Sequence, residues 1–275
     1  MRIIKKTLLL IVFGGALCLG IIGCSKADDS IPASEERVTE HIRTTEEAVK
    51  EPETTELTED LNAAVEEKTE AGEDNPREEI LIAIDPGHQS ENVDMSTLEP
   101  NAPGSSEMKM KATGGTTGKY TGVPEYKLNL DISLMLRDAL EDKGYKVLMT
   151  REDNETAISN MERACLANDA GADVAIRIHA NGSDDTSTNG ALALIGSKDN
   201  RYVGNLYENS YRLADSVLTS YCESTGMKNL GVTAVDTMTG INWSQIPVMI
   251  LEMGFMSNEA DDRNMEEESY REKMV

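Results

Sequence analysis

Three short apolar runs, each followed at once by a side chain able to bind a metal or move a proton, constrain this chain more than any other feature. They are Leu81-Ile82-Ala83-Ile84, which leads through Asp85-Pro86-Gly87 to His88; Val174-Ala175-Ile176-Arg177-Ile178, which ends in His179; and Val248-Met249-Ile250-Leu251, which ends in Glu252. Runs of this length and apolarity read as strands buried within a layered sheet. Between them the period changes. Leu128, Ile132, Leu136 and Leu140 recur every four residues behind Pro124 and ahead of Gly144, a helix with a proline start and a glycine stop. The expected order is a strand at 80–84, helix 124–143, strand 146–150, helix 157–170 and strand 174–179. Strand 191–195, helix 203–224, an extended piece at 232–235, strand 248–253 and a helix from Asn258 with an acidic first turn follow. This alternation predicts an α/β fold, a single three-layer domain over 80–275 with a largely parallel twisted sheet flanked by helices. In open sheets of this type ligands bind beyond the carboxyl ends of the strands. Two imidazoles and a carboxylate are therefore expected at one sheet edge.

The chain has three histidines. His41 lies in an acidic stretch and reads as solvated. His88 or His179 taken alone is as readily a structural histidine satisfied by hydrogen bonds; the two together, on strands that could be neighbours, favour a metal. Two imidazoles still leave a hydrolytic zinc one protein ligand short, because such a site takes three protein groups and keeps the fourth position for water. Glu125, in the first turn of the helix behind Pro124, is one candidate for that ligand. It is equally read as an acid that complements the helix dipole. Glu252 follows a fully apolar run, and a buried carboxylate without a partner is costly, so a nearby cation is expected. Residues 89–123, rich in Gly, Ser, Thr and Pro, read as a long loop without structure of its own that walls the substrate groove. Gly114-Gly115-Thr116-Thr117-Gly118-Lys119-Tyr120 is not a P-loop, because Thr113 replaces its first glycine and Tyr120 its hydroxyl residue. The sequence has no Gly-x-Ser-x-Gly elbow, no His-Glu-x-x-His and no cysteine in a nucleophile context.

Net charge of −24 leaves no basic patch to neutralise phosphates and argues against nucleic acid as a partner. At the N-terminus Arg2, Lys5 and Lys6 precede an uncharged apolar run, 8–22, shaped like the core of an export signal. It closes in Ile21-Ile22-Gly23-Cys24, which resembles the lipobox of bacterial lipoproteins; the other reading is a single membrane anchor with an incidental cysteine. The expected organisation is a signal peptide over 1–23, lipidation at Cys24, an acidic tether over 24–79 and the catalytic domain after it. Residues 25–79 hold 19 Asp and Glu against 6 Lys and Arg and no aromatic residue, a composition expected to be disordered. Either reading of the N-terminus puts the globular part outside the cytoplasmic membrane, anchored to it. Cys165 and Cys222 are too few for a disulfide scaffold and read as buried free thiols, a bridge between them being the alternative.

Taken in order, Ile84-Asp85-Pro86-Gly87-His88, Glu125 opening a helix, Ile178-His179-Ala180-Asn181, and Leu251-Glu252-Met253-Gly254-Phe255-Met256-Ser257-Asn258 resemble the zinc-dependent N-acetylmuramoyl-L-alanine amidases of bacterial cell walls, amidase type 3. Thr150-Arg151, Glu162-Arg163-Ala164 and Ala167-Asn168 ahead of Gly171-Ala172-Asp173 add to the match, which extends over 80–265. The resemblance implies that His88, Glu125 and His179 hold Zn²⁺ and that Glu252 is the catalytic carboxylate. The implied substrate is peptidoglycan, cut at the amide between N-acetylmuramic acid and the L-alanine of the stem peptide. Asp85 and Asn181, beside the histidines, are then either partners that orient the rings or residues that shape the turns. Gln89-Ser90 stand where the family has small residues, and the segment before Glu125 is long, so a remodelled loop is expected; the C-terminus reads as short. The rival readings are a catalytically silent amidase-like lipoprotein that binds peptidoglycan or a partner, and a zinc peptidase cutting within the stem.

Overall fold

The computed structural model describes residues 80–275; the expectations for the signal segment, Cys24, His41 and the acidic stretch lie outside the described residues. The three apolar runs become β1 (Leu81–Pro86), β5 (Val174–Asn181) and β8 (Val248–Phe255). They lie side by side, parallel, in a six-stranded sheet of order β4-β1-β5-β8-β6-β7, with β4 at Lys146–Met149, β6 at Ala191–Ile195 and β7 at Asn229–Ala234. The sheet is parallel throughout except where β6 meets β8 antiparallel. Each run is apolar at successive positions because both faces are covered. On one face Ile82, Ile84, Ile176, Ile178, Met249 and Leu251 pack under Leu128 and Ile132 of α1 (Glu125–Asp142) and Ala214 and Leu218 of α3 (Tyr207–Thr225). On the other, Ala83, Ala175, Leu194 and Ile250 meet Ala167 of α2 (Asn160–Asp169) and Ile241 of α4 (Thr239–Asn242). Each large aliphatic side chain buried this way contributes roughly 1.5–3 kcal/mol. The three-layer α/β architecture is as expected.

Boundaries moved where local hydrogen bonding overrode periodicity. Helix α2 starts at Asn160, not 157, because Ser159 and Glu162 form a reciprocal capping box that fixes the first turn there. Before α3, residues Gly204–Leu206 form a separate 3-10 turn, so the α-helix itself begins at Tyr207; Gly226, at φ 75°, ends it. The segment 89–123 is not without structure. It holds an antiparallel pair, β2 (Leu98–Pro100) and β3 (Met108–Met110), fastened to the domain by Trp243 Nε1 donating to the Pro100 carbonyl and Lys109 Nζ to that of Thr237.

The acidic turn expected after Asn258 opens α5 (Glu259–Glu266), which α6 (Glu268–Arg271) follows. Asn258 caps it by accepting from the amides of Ala260 and Asp261. Its acids also tie down loops: Asp261 accepts from the amides of Gly190 and Phe255, and Asp262 from Tyr120, Thr121 and the Thr121 hydroxyl. Cys165 and Cys222 are free thiols, the latter buried.

Candidate metal centre

Strand β1 delivers Asp85 and Pro86 to the sheet edge, where the chain turns through Gly87 into His88. His88 has φ 62°, a left-handed conformation that costs a side chain on the order of 1–2 kcal/mol. Two buried arginines hold it there. Arg151 donates to the carbonyls of Pro86 and Gly87, and Arg163 to those of Pro86 and His88. Every carbonyl of the turn from Pro86 to His88 thus ends on a guanidinium. Gly87 is required by close approach, since a Cβ on it would lie 2.3 Å from the His179 ring.

The resulting site brings His88, Glu125 and His179 together, with ligand atoms all within 4.8 Å of one another. Glu125 Oε1 lies 3.2 Å from His88 Nε2 and 3.3 Å from His179 Nδ1. A tetrahedral zinc with bonds of about 2.0–2.1 Å to nitrogen and oxygen sets its ligand atoms about 3.3 Å apart, so both spacings to Glu125 fit. His88 Nδ1 sits 3.1 Å from the Thr113 carbonyl. The Thr113 hydroxyl lies equally near, at 3.1 Å, but the carbonyl only accepts, which favours the proton on Nδ1 and a lone pair on Nε2 turned toward Glu125. The carboxylate is fixed from behind: Oε1 accepts from Asn129 Nδ2 and the Ala180 amide, and Oε2 from the Thr116 amide. Burial pushes the Glu125 carboxyl up, but positive charge on the two histidines and hydrogen bonds from them outweigh it and hold the group well below the usual carboxylate range; with the rings neutral, a cation has to supply that charge. Burial pushes His179 down despite its bond to Glu125, which favours the neutral, ligating imidazole. A buried carboxylate against inward-facing imidazole nitrogens calls for a cation between them, and this donor set suits zinc.

Glu252 stands on β8 directly opposite His179 on β5, and both line one cleft of about 430 Å³ with His88, Glu125 and Arg177. The four expected site residues therefore face a common space. Asp85 does not orient a ring. It accepts from Thr150, Arg163 and Arg177, and although burial pushes its carboxyl up, the two guanidinium charges hold it far below the usual range. Asn181 likewise serves its turn, its Oδ1 accepting from the Gly182 amide. The ring partner that sequence reasoning missed is Thr113, and nothing in its sequence context marks it. The arginine clamp was also missed, although Arg151 and Arg163 stand in motifs already noted. The glycine run rejected as a P-loop has a different use. Gly115, at φ 77°, passes so close that a Cβ would lie 2.5 Å from Glu125 Oε2 and 2.8 Å from the His88 ring. Gln89, an expected departure, is buried and accepts from Arg163, filling out the clamp.

A family model described as N-acetylmuramoyl-L-alanine amidase matches residues 82–275. Among curated proteins, the chain is 27% identical over 201 residues to N-acetylmuramoyl-L-alanine amidase LytC of Bacillus subtilis (strain 168), a match that covers 72% of this chain and 34% of that protein. It is 26% identical over 207 residues to N-acetylmuramoyl-L-alanine amidase Rv3717 of Mycobacterium tuberculosis, covering 70% of this chain and 81% of the relative. The chain thus spans about a third of the first relative's length and four fifths of the second's. Among solved structures, the N-acetylmuramyl-L-alanine amidase Ami1 from Mycobacterium smegmatis superimposes with a TM-score of 0.63 at 24% identity, covering 71% of this chain and 91% of that one. That likeness is one of fold.

Proposed function

As the chain belongs to the N-acetylmuramoyl-L-alanine amidase family, we propose that it is a zinc-dependent hydrolase of the amide between N-acetylmuramic acid and L-alanine in bacterial peptidoglycan. The observation that carries this reading is the convergence of His88, Glu125 and His179 beside Glu252 in one cleft. Zn²⁺ held by His88, Glu125 and His179 would acidify water and polarise the scissile carbonyl. Glu252 takes the proton of the attacking water and passes one to the departing amine nitrogen of L-alanine. Thr113 keeps His88 in the tautomer that presents Nε2, and the amides of Thr116 and Ala180, with Asn129, keep Glu125 from turning away. Burial of Glu125 at 3% exposure strengthens its hold on a cation by excluding bulk water.

In this reading the domain works outside the cytoplasmic membrane, attached through a lipid on Cys24. No helix among the described residues is long and apolar enough to cross a membrane. The test is product analysis on purified peptidoglycan with the zinc-loaded chain. Stem peptides with a new N-terminal L-alanine, and muramyl groups with a free lactyl carboxylate, are the expected products; cuts inside the stem would make it a peptidase instead. Glu252→Gln is expected to lower the rate about 10²–10⁴-fold with zinc content unchanged, and a near-normal rate removes Glu252 from the mechanism.

A further inference from the structure

Three arginines are buried among the described residues, Arg151, Arg163 and Arg177. They differ in how far the protein satisfies them. Arg151 places all three of its nitrogens on Pro86, Gly87, Tyr126, Asp153 and Asn154. Arg163 does the same with Asp85, Pro86, His88, Gln89 and Ile158. Arg177 donates from Nε to Asp85 Oδ2 at 2.6 Å and from Nη2 to Asn160 Oδ1 at 2.7 Å, while Nη1 has no acceptor among the described residues. These two bonds fix the guanidinium plane and so aim the third nitrogen. Nη1 lies against Gly240, where a Cβ would come within 1.8 Å of it; only glycine leaves it room. Arg177, Asn160 and Gly240 line the same cleft as His179 and Glu252.

The charges favour an anion at that nitrogen. Arginine keeps its proton in proteins, and the one carboxylate that bonds Arg177, that of Asp85, is shared with Arg163. Asp85 bonds Arg177 through Nε, so the charged fork keeps Nη1 as a donor for a ligand in the cleft it lines. We infer that Arg177 is an anion-recognising residue of the substrate cleft, its Nη1 donating to a carboxylate of the stem peptide. Arg177 precedes His179 by two residues on one face of β5, about 6.6 Å along the strand. An extended peptide covers that in about two residues, so the recognised carboxylate belongs close to the cleaved bond. The inference rests on the amidase reading for the identity of the peptide, and on the guanidinium geometry for the presence of the anion site.

The test uses a product, which is not hydrolysed: a stem tripeptide beginning with L-alanine, and the same tripeptide with every carboxylate converted to a primary amide. Titration calorimetry on the zinc-loaded chain is expected to give about 10- to 100-fold tighter binding of the carboxylate form, the factor carried by one charge-assisted hydrogen bond. Arg177→Gln should bring the ratio close to one. Arg177→Lys keeps a cation against Asp85 but loses the fork, and Gly240→Ala pushes Nη1 from its place; both should cut the ratio several-fold and serve where Arg177→Gln does not fold. Equal affinities in the unmutated chain, no binding of either peptide at millimolar concentration, or an unchanged ratio in the folded variants would overturn the inference. Peptidoglycan hydrolysis is scored separately. A preserved preference without hydrolysis sinks the amidase reading and leaves the anion site; hydrolysis without preference does the reverse.

Discussion

His88 occupies a conformation that few side chains adopt, and the surrounding residues are arranged to keep it there. Its φ of 62° would relax if the carbonyls of the turn were released, and Nε2 would then leave Glu125. Gly87 stands at the same bottleneck from the other side, because the His179 ring lies where its Cβ would be. Gly87→Ala is therefore expected to displace His179 and weaken zinc affinity at least tenfold, with a stability loss of about 1–3 kcal/mol from overpacking; metal competition against a chromogenic chelator reads the first, urea unfolding the second. His179→Ala removes a ligand outright and should leave the purified chain without stoichiometric zinc by elemental analysis. Retention of one zinc per chain in that variant would take His179 out of the ligand set. Removing the metal from the unmutated chain with a chelator should destabilise it as well, because three buried electron-pair donors then face each other with no cation between them.

At the scale of elements, the tips of β1 and β5 are tied together by charge. Asp85 on β1 pairs with Arg177 on β5 in register and reaches Arg163 on α2, so one carboxylate joins two strands and a helix. Breaking such a buried pair costs about 3–5 kcal/mol, the loss expected for Asp85→Asn in urea unfolding near neutral pH. The pH dependence has a definite sign. The folded carboxyl is held far below its ordinary value of 3.8, so its stabilisation is complete above the unfolded pKa and drains away as pH falls toward the folded one. Below about pH 4 the gap between the unmutated chain and Asp85→Asn should narrow by about 1.4 kcal/mol per pH unit; a constant gap would mean that the fold does not lower the pKa of Asp85. The same elements mark what could be read beforehand. Strands β1, β5 and β8 were legible because burial on both faces writes an unbroken apolar run. Strands β2 and β3 were not: each is three residues long, too short for a two-residue period to stand out from the Gly, Ser, Thr and Pro around it. The start of α2 is encoded in Ser159 and Glu162, a capping pair that periodicity alone passes over.

For the whole molecule, the sheet works as a fixed rack whose carboxyl edge collects groups from three adjacent strands and from the first turn of α1. That is why His88, His179 and Glu252 could be placed at one edge from strand ends alone, whereas only the folded geometry brings Glu125 beside the two histidines. Arg151 lies 65 and 64 positions from the carbonyls of Pro86 and Gly87 that it holds, and Thr113 lies 25 from His88, and such distances leave no trace in local pattern. The remaining question at this scale is what would keep the domain beside the proposed wall substrate. A net charge of −24 gives it no electrostatic attraction to anionic membranes, so in the proposed reading retention at the cell surface would rest on a covalent or apolar attachment. The proposed attachment is the lipid on Cys24. A single acyl chain holds a protein only reversibly, whereas two or more signals hold it stably, so loss of the modification should be visible in a simple fractionation. Cys24→Ser is expected to move the chain from the membrane pellet to the soluble or secreted fraction while activity on isolated peptidoglycan stays the same. If the variant still pellets, and a mild detergent rather than high salt releases it, the uncut apolar run 8–22 is the anchor and Cys24 carries no lipid.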